Sequence, residues 1–132
     1  MLDVGCSSGH LARKLAGPAG HVTGVDPSEP TIAYARRRAL PAMTFTVALA
    51  RDLPLPDESF DVVTCTVALH HVPARKRETA LREMFWVTRP GGRLSAADFD
   101  PSRQLFPLHP GGNRVESSGQ LRLLRYVIAV RA

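Results

Sequence analysis

Two cysteines, Cys6 and Cys65, are too few for a disulfide framework and stand at no zinc-ligand spacing. Both are read as reduced, small, partly buried side chains. No apolar run approaches the ~20 residues that a membrane helix needs. No basic, apolar, small-residue leader opens the chain either. These shortages exclude a stapled secreted scaffold and a helical membrane protein, and make the cytoplasm the expected location. Acids are also in the minority: 12 Asp and Glu stand against 17 Lys and Arg, a formal charge of +5. Such a balance favours anionic partners in a nonspecific way. The arginines are scattered, however. The two basic clusters, Arg36-Arg37-Arg38 and Arg75-Lys76-Arg77, fall on expected helices, where long cations form solvated faces. Nucleic acid is therefore not the expected partner.

What is present begins at the first residues. Met1 to Val4 is a short apolar run that carries an acid, Asp3, and Gly5-Cys6-Ser7-Ser8-Gly9 follows with small residues between two glycines. Leu11 to Ala16 then reads as helix. A strand, a tight loop and a helix N-terminus let a ligand approach bare backbone and face unpaired N–H donors. A second apolar run, Val22 to Val25, ends in Asp26, 17 residues after Gly9. A carboxylate so placed is the ribose-binding arrangement of nucleotide-binding α/β folds.

The remaining chain alternates. Gly17-Pro18 is expected to stop the first helix. Ser28 is a candidate N-cap, with Pro30 harmless in the first turn. Ile32, Ala35, Ala39 and Leu40 make an apolar stripe that Pro41 ends. Met43 to Val47 reads as a third strand, residues 50–59 as a loop, and Phe60 to Thr66 as a strand buried on both faces. A helix is expected from Pro73 to about Val87, with Ala80, Leu81, Met84, Phe85 and Val87 toward the core. Pro90-Gly91-Gly92 is expected to turn into a fifth strand, Arg93 to Phe99. Pro101, Pro107, Pro110, Gly111 and Gly112 mark a long loop, and Arg125 to Val130 fits an antiparallel edge or penultimate strand. Strands alternating with helices imply right-handed crossovers and an α/β, mostly parallel sheet. The whole is read as one domain of 132 residues, with 1–99 the recognisable core and 100–132 an irregular or shortened end.

Asp3-Val4-Gly5-Cys6-Ser7-Ser8-Gly9 resembles the first motif of class I S-adenosylmethionine (SAM) dependent methyltransferases. Val25-Asp26-Pro27-Ser28 resembles their acidic ribose loop. Leu53 to Val63 is similar to the segment entering their fourth strand, and Arg89 to Leu94 to the turn into their fifth. The set covers about residues 1–99 in family order. The resemblance implies a Rossmann-like, doubly wound sheet of order 3-2-1-4-5 with a possible C-terminal antiparallel strand. It also implies a ligand at the switch point between strands one and four. The family usually carries one or two helices before the first strand, and this chain is expected to lack them.

The resemblance implies further that Gly5, Cys6, Ser7 and Gly9 approach the cofactor and that Asp3 orients their loop or reaches the cofactor's amino group through water. Ser7 stands where glycine is usual, so the loop either avoids positive φ or stores strain. Asp26 would accept both ribose hydroxyls and Pro27 would pack on adenine. Leu49 occupies the slot of an adenine-binding acid, which leaves Asp52, or backbone groups in the Ala50-Arg51 stretch, to meet the base. Thr66 would border the methionine end. His71 and Asp98 are candidates for catalysis, against packing or hydrogen-bonding roles for His70 and His71. The two adjacent histidines are expected to point apart and to hold no metal. The function so implied is methyl transfer from SAM to a small-molecule acceptor. A non-catalytic or truncated SAM-binding remnant is the alternative, with an RNA methyltransferase behind it. A nicotinamide oxidoreductase does not fit, because Gly5 and Gly9 lack the G-x-G-x-x-G spacing.

Overall fold

A computed structural model describes residues 1–99, 114–121 and 124–132. The expected loop from Pro101 to Gly112 lies outside the described residues. Among the described residues, seven strands form one sheet: β1 (Leu2–Val4), β2 (Val22–Asp26), β3 (Met43–Val47), β4 (Phe60–Thr66), β5 (Thr88–Asp98), β6 (Arg114–Leu121) and β7 (Leu124–Val130). Three helices, α1 (His10–Ala19), α2 (Glu29–Arg37) and α3 (Ala74–Val87), connect the parallel strands, and a 3-10 turn (Leu69–His71) follows β4. The sheet order is β3-β2-β1-β4-β5-β7-β6. β1 to β5 pair in parallel, and β7 runs antiparallel to both β5 and β6. The expected doubly wound order is therefore present, with β7 in penultimate place. The edge strand β6 was not anticipated. Its stretch is rich in Ser and Gly, and its pairing is supplied by β7 rather than by its own propensity.

Strand alternation divides the core into two apolar layers. Val22, Met43 and Phe45 join Ala12, Ala16, Ile32 and Ala35 of α1 and α2 on one side. Leu2, Val4, Val25, Val63, Cys65 and Leu94 join Ala80, Leu81, Met84, Phe85 and Val87 of α3 on the other. Val22 and Val25 of one strand thus serve opposite layers, as a period of two requires. β4 is less covered than burial on both faces would require: Asp61, Val62 and Thr66 are exposed. For Asp61 and Val62 the cause is register. β1 pairs β4 only at Val63 and Thr64, so Phe60 to Val62 outrun it.

Three boundaries differ from the expected ones. α1 continues through Pro18 to Ala19 and stops at Gly20, which has φ 71° and donates its N–H to the Gly17 carbonyl. The bond that Pro18 forfeits is to exposed Lys14, where water can replace it. α2 ends at Arg37. The N–H groups of Arg38 and Ala39 bond the carbonyls of Ala35 and Arg36, three residues back, which tightens and unwinds the last turn. Ala39 and Leu40 therefore leave the apolar stripe and are exposed. At Pro90-Gly91-Gly92 there is no break between elements. The chain bulges within β5, so that Phe60 pairs Thr88 while Val62 pairs Arg93.

The last described residues close the end of α3. Arg131 donates from Nη1 to the carbonyls of Phe85, Trp86 and Thr88, and from Nη2 to Glu58 at 3.0 Å. A guanidinium on the last carbonyls of a helix is a charge-assisted contact aligned with the helix dipole. We expect Arg131→Ala to lower the unfolding free energy by about 1–3 kcal/mol in urea titration. Arg82→Ala, which removes only an exposed pair with Glu78, should change it by less than about 0.5 kcal/mol.

Candidate functional site

The site is assembled at the carboxyl ends of β1, β2 and β4, where connections leave in opposite directions. The loop after β1 folds back on β2: the N–H groups of Gly5 and Cys6 both bond the Val25 carbonyl, at 2.8 and 2.9 Å. Gly5 (φ 73°) and Gly9 (φ 77°) take left-handed conformations, and so does Ser7 (φ 49°). Ser7 therefore stores strain rather than avoiding the region. A Cβ on Gly5 would lie 2.2 Å from the Ala68 Cβ, so the first loop and the turn after β4 touch without room for a methyl group. Gly9 stands before α1, and a Cβ there would meet the Phe45 ring at 2.7 Å.

Asp26 ties this loop to the next connection. Its Oδ2 accepts the Ser7 N–H at 3.0 Å, and its Oδ1 accepts the Ser28 N–H at 2.9 Å. Each oxygen keeps a second lone pair. The half-buried carboxylate borders a crevice of about 520 Å³, lined also by Gly5, Ser7 and Pro27. The third wall is the loop after β3, Ala48 to Arg51, held by the Ala48 N–H on the Asp26 carbonyl at 3.1 Å. The fourth is the segment that leads from β4 through the 3-10 turn, with Val67, Ala68 and His71 in the wall.

Of the residues singled out in the sequence, the crevice wall thus gathers Gly5, Ser7, Asp26, Pro27, Ala50, Arg51 and His71. Cys6, Gly9 and Thr66 are not in the wall. Cys6 turns into the α1–α2 layer, while Cys65 lies in the α3 layer and reaches the crevice. Both are free thiols, and burial first, then nearby carboxylates, pushes each up to about 12. Neither is a nucleophile at neutral pH. Leu49 lines the crevice as well, and Val67 and Ala68 are wall residues that the sequence did not single out. Val67 has φ 53°, a strained state for a β-branched residue, at the mouth where β4 ends. No sequence signal marks it; the Gly5–Ala68 contact was foreshadowed only by small residues at both positions.

Asp98 and the histidines are arranged otherwise than expected. Asp98 is fully buried and outside the crevice wall. Its carboxylate accepts the His70 N–H at 2.9 Å, the His70 ring Nδ1 at 2.7 Å and the Phe99 N–H at 2.7 Å. The rings of His70 and His71 do not point apart; their centroids are 3.9 Å from each other. Asp98 draws the His70 ring inward across the tight turn, against its neighbour.

Asp3 sits beneath the loop, with a relative exposure of 2%. Its Oδ1 accepts the Thr64 hydroxyl at 3.0 Å. Burial raises its carboxyl to about 6. The Thr64 bond opposes that rise, and the Asp26 charge adds to it. In the unfolded chain the group titrates near ~3.9. Between those values the folded protein holds the proton more tightly, so the Asp3 contribution to stability falls as pH rises from about 4 to about 6. Above pH 6 the ionised group costs the fold about 2–3 kcal/mol. Asp3→Asn should therefore raise the urea midpoint relative to wild type at pH 7.5, and the difference should shrink as pH falls, to roughly a third at pH 4.5 and to near zero by about pH 3. A difference independent of pH would show that the carboxyl is not held in this state.

With that geometry in place, comparison with known proteins is direct. The family described as methyltransferase domain matches residues 1–92. The chain is 41% identical over 105 residues to the 27-O-demethylrifamycin SV methyltransferase of Amycolatopsis mediterranei, covering 75% of this chain and 38% of that protein. It is 36% identical over 137 residues to the demethylmenaquinone methyltransferase of Listeria monocytogenes, covering 98% and 53% respectively. The chain therefore spans about half the length, or less, of these curated relatives. Its fold is shared with a SAM-dependent methyltransferase from Aquifex aeolicus, at a TM-score of 0.82 and 21% identity, covering 99% of this chain and 81% of the other. It is shared too with magnesium protoporphyrin IX methyltransferase from Synechocystis PCC 6803 with bound S-adenosylhomocysteine, at a TM-score of 0.77 and 21% identity, covering 99% and 73%. Among the described residues, no helix is long and apolar enough to cross a membrane. A glycine loop and a carboxylate converging on one crevice, within a family match that takes in both, place this chain in the SAM-dependent methyltransferase family.

Proposed function

We propose that residues 1–132 act as one domain that binds SAM in the crevice between the Gly5–Gly9 loop and Asp26, and directs its methyl group to a small-molecule acceptor in the cytoplasm. The observation that carries the reading is the Asp26 carboxylate. It is fixed by two backbone N–H groups, yet its remaining lone pairs border a crevice of nucleoside size. The donor set suits the cofactor: a carboxylate for a diol, open glycine backbone for the body of the nucleoside, and apolar Pro27 and Leu49 for the flat base. Ala50 and Arg51 present backbone groups to the base edge. Asp3 acts on the loop from below, through the sheet.

When bound, SAM supplies an electrophilic methyl group on a positively charged sulfur. What the chain supplies is orientation and a dry wall. Ala68, Val67 and Cys65 line the crevice with apolar atoms at the end of β4. His71 borders the same end. The two curated relatives are named for small acceptors, a rifamycin and a menaquinone precursor. That supports the acceptor class proposed here over a nucleic acid.

Isothermal titration with S-adenosylhomocysteine tests the reading. Wild type should bind, and Asp26→Ala should bind at least tenfold more weakly, a loss of about 1.4 kcal/mol or more. Unchanged affinity in a folded variant would contradict the ribose role.

A further inference from the structure

Building on the SAM-binding reading, we infer that Leu49 relaxes the base selectivity of the crevice, so that it holds a 6-oxopurine nucleoside as well as adenosine. The wall assigned to the base is one turn, Leu49 to Asp52, closed by the Asp52 N–H on the Leu49 carbonyl at 3.0 Å. Both of its ends are fixed. The Ala48 N–H bonds the Asp26 carbonyl at 3.1 Å, and the Leu53 N–H bonds Glu83 Oε2 at 3.1 Å. The turn therefore stands in a set place beside the carboxylate assigned to ribose.

What this turn offers is donors. Leu49, Ala50 and Arg51 line the crevice, and Asp52 does not. The N–H groups of Ala50 and Arg51, at the tip, make no hydrogen bond among the described residues. The Arg51 guanidinium has no partner among them either, and it can only donate. The acceptors of the turn are carbonyls alone, and that of Leu49 is already engaged. Among the described residues the crevice wall carries a single carboxylate, Asp26, which already holds two N–H groups. The side chain that opens the turn, Leu49, is 40% exposed and ends in carbon. No acid in this wall therefore stands ready to read an exocyclic amine.

Adenine and hypoxanthine share a shape and differ along one edge. Adenine presents an acceptor at N1 beside a donating 6-amino group. Hypoxanthine presents a donor at N1 beside an accepting O6. A wall of donors bonds the first at N1 and the second at O6. In each case one donor of the base is left to water, which the half-buried Ala50 and exposed Arg51 admit. The apolar contact with Pro27 and Leu49 is common to both bases. A site rejects the wrong ligand when buried polar groups are left unpaired. At this solvent-exposed turn that penalty is absent, and neither base is favoured.

Isothermal titration of the full chain at pH 7, with S-adenosylhomocysteine and its deaminated analogue S-inosylhomocysteine, tests this. Wild type should bind the two with dissociation constants within about fivefold of each other. Leu49→Asp adds a carboxylate to the turn. It should favour S-adenosylhomocysteine by about tenfold or more, because the carboxylate accepts from the amine and repels O6. Leu49→Met, which keeps the wall apolar, should retain the wild-type ratio. A wild-type preference above about fivefold for either ligand overturns the inference, whatever the variants do. So does a folded Leu49→Asp chain whose ratio is unchanged, since selectivity is then not set at this position. If Leu49→Asp does not fold, the wild-type ratio carries the test. A wild type that binds neither ligand removes the underlying SAM reading instead.

Discussion

One carboxylate holds two loops in place. Asp26 receives the Ser7 N–H on one oxygen and the Ser28 N–H on the other, and so joins the turn after β1 to the turn after β2. Ser7 sits in a conformation that costs a non-glycine residue about 1 kcal/mol or more. A hydrogen bond to an ionised acceptor, worth roughly 1.5–3 kcal/mol, is enough to hold it there. The same oxygens face the crevice. The shape of the site therefore depends on a single side chain.

Around that tie the molecule separates its tasks by strand. β1 and β2 supply backbone and a carboxylate to one half of the crevice. β4 and the turn after it supply the apolar wall of the other half, through Cys65, Val67, Ala68 and His71. The two apolar layers fix the relative heights of these strand ends. Close packing of glycine loop against turn, at Gly5 and Ala68, leaves them no slack. Asp3, buried beneath, lowers stability at neutral pH. Stability given up at a site in this way is common where function, not folding, selects the residue.

Much of this was legible in the chain. Patterning located β1 to β5 and α3, and spacing located Asp26, because the strand–loop–helix unit leaves few places for glycine and acid to fall. Boundaries were harder, since Pro18 is tolerated in a last turn and Pro90-Gly91-Gly92 makes a bulge as readily as a turn. β6 was illegible because its pairing comes from β7. At the site, a side chain's direction is what a sequence least reveals. Asp98 reads as an acid at a strand end near the acceptor, yet it points into the interior. His70 and His71 read as a pair that diverges, yet their rings lie close and tilted at 42°, with one of them held by a buried carboxylate. Val67 and Ala68 carry no chemistry of their own, and only the closure of the turn over Gly5 shows that they form a wall.

The central claim is that Asp26 grips a sugar diol while the glycine loop holds the rest of the nucleoside. A co-crystal structure with S-adenosylhomocysteine measures this directly. The account predicts both ribose hydroxyls within hydrogen-bond distance of the Asp26 carboxylate, with the ligand lying along Gly5 to Ser7 toward the end of β4. A ligand bound elsewhere, or in the crevice with its ribose turned away from Asp26, would contradict it.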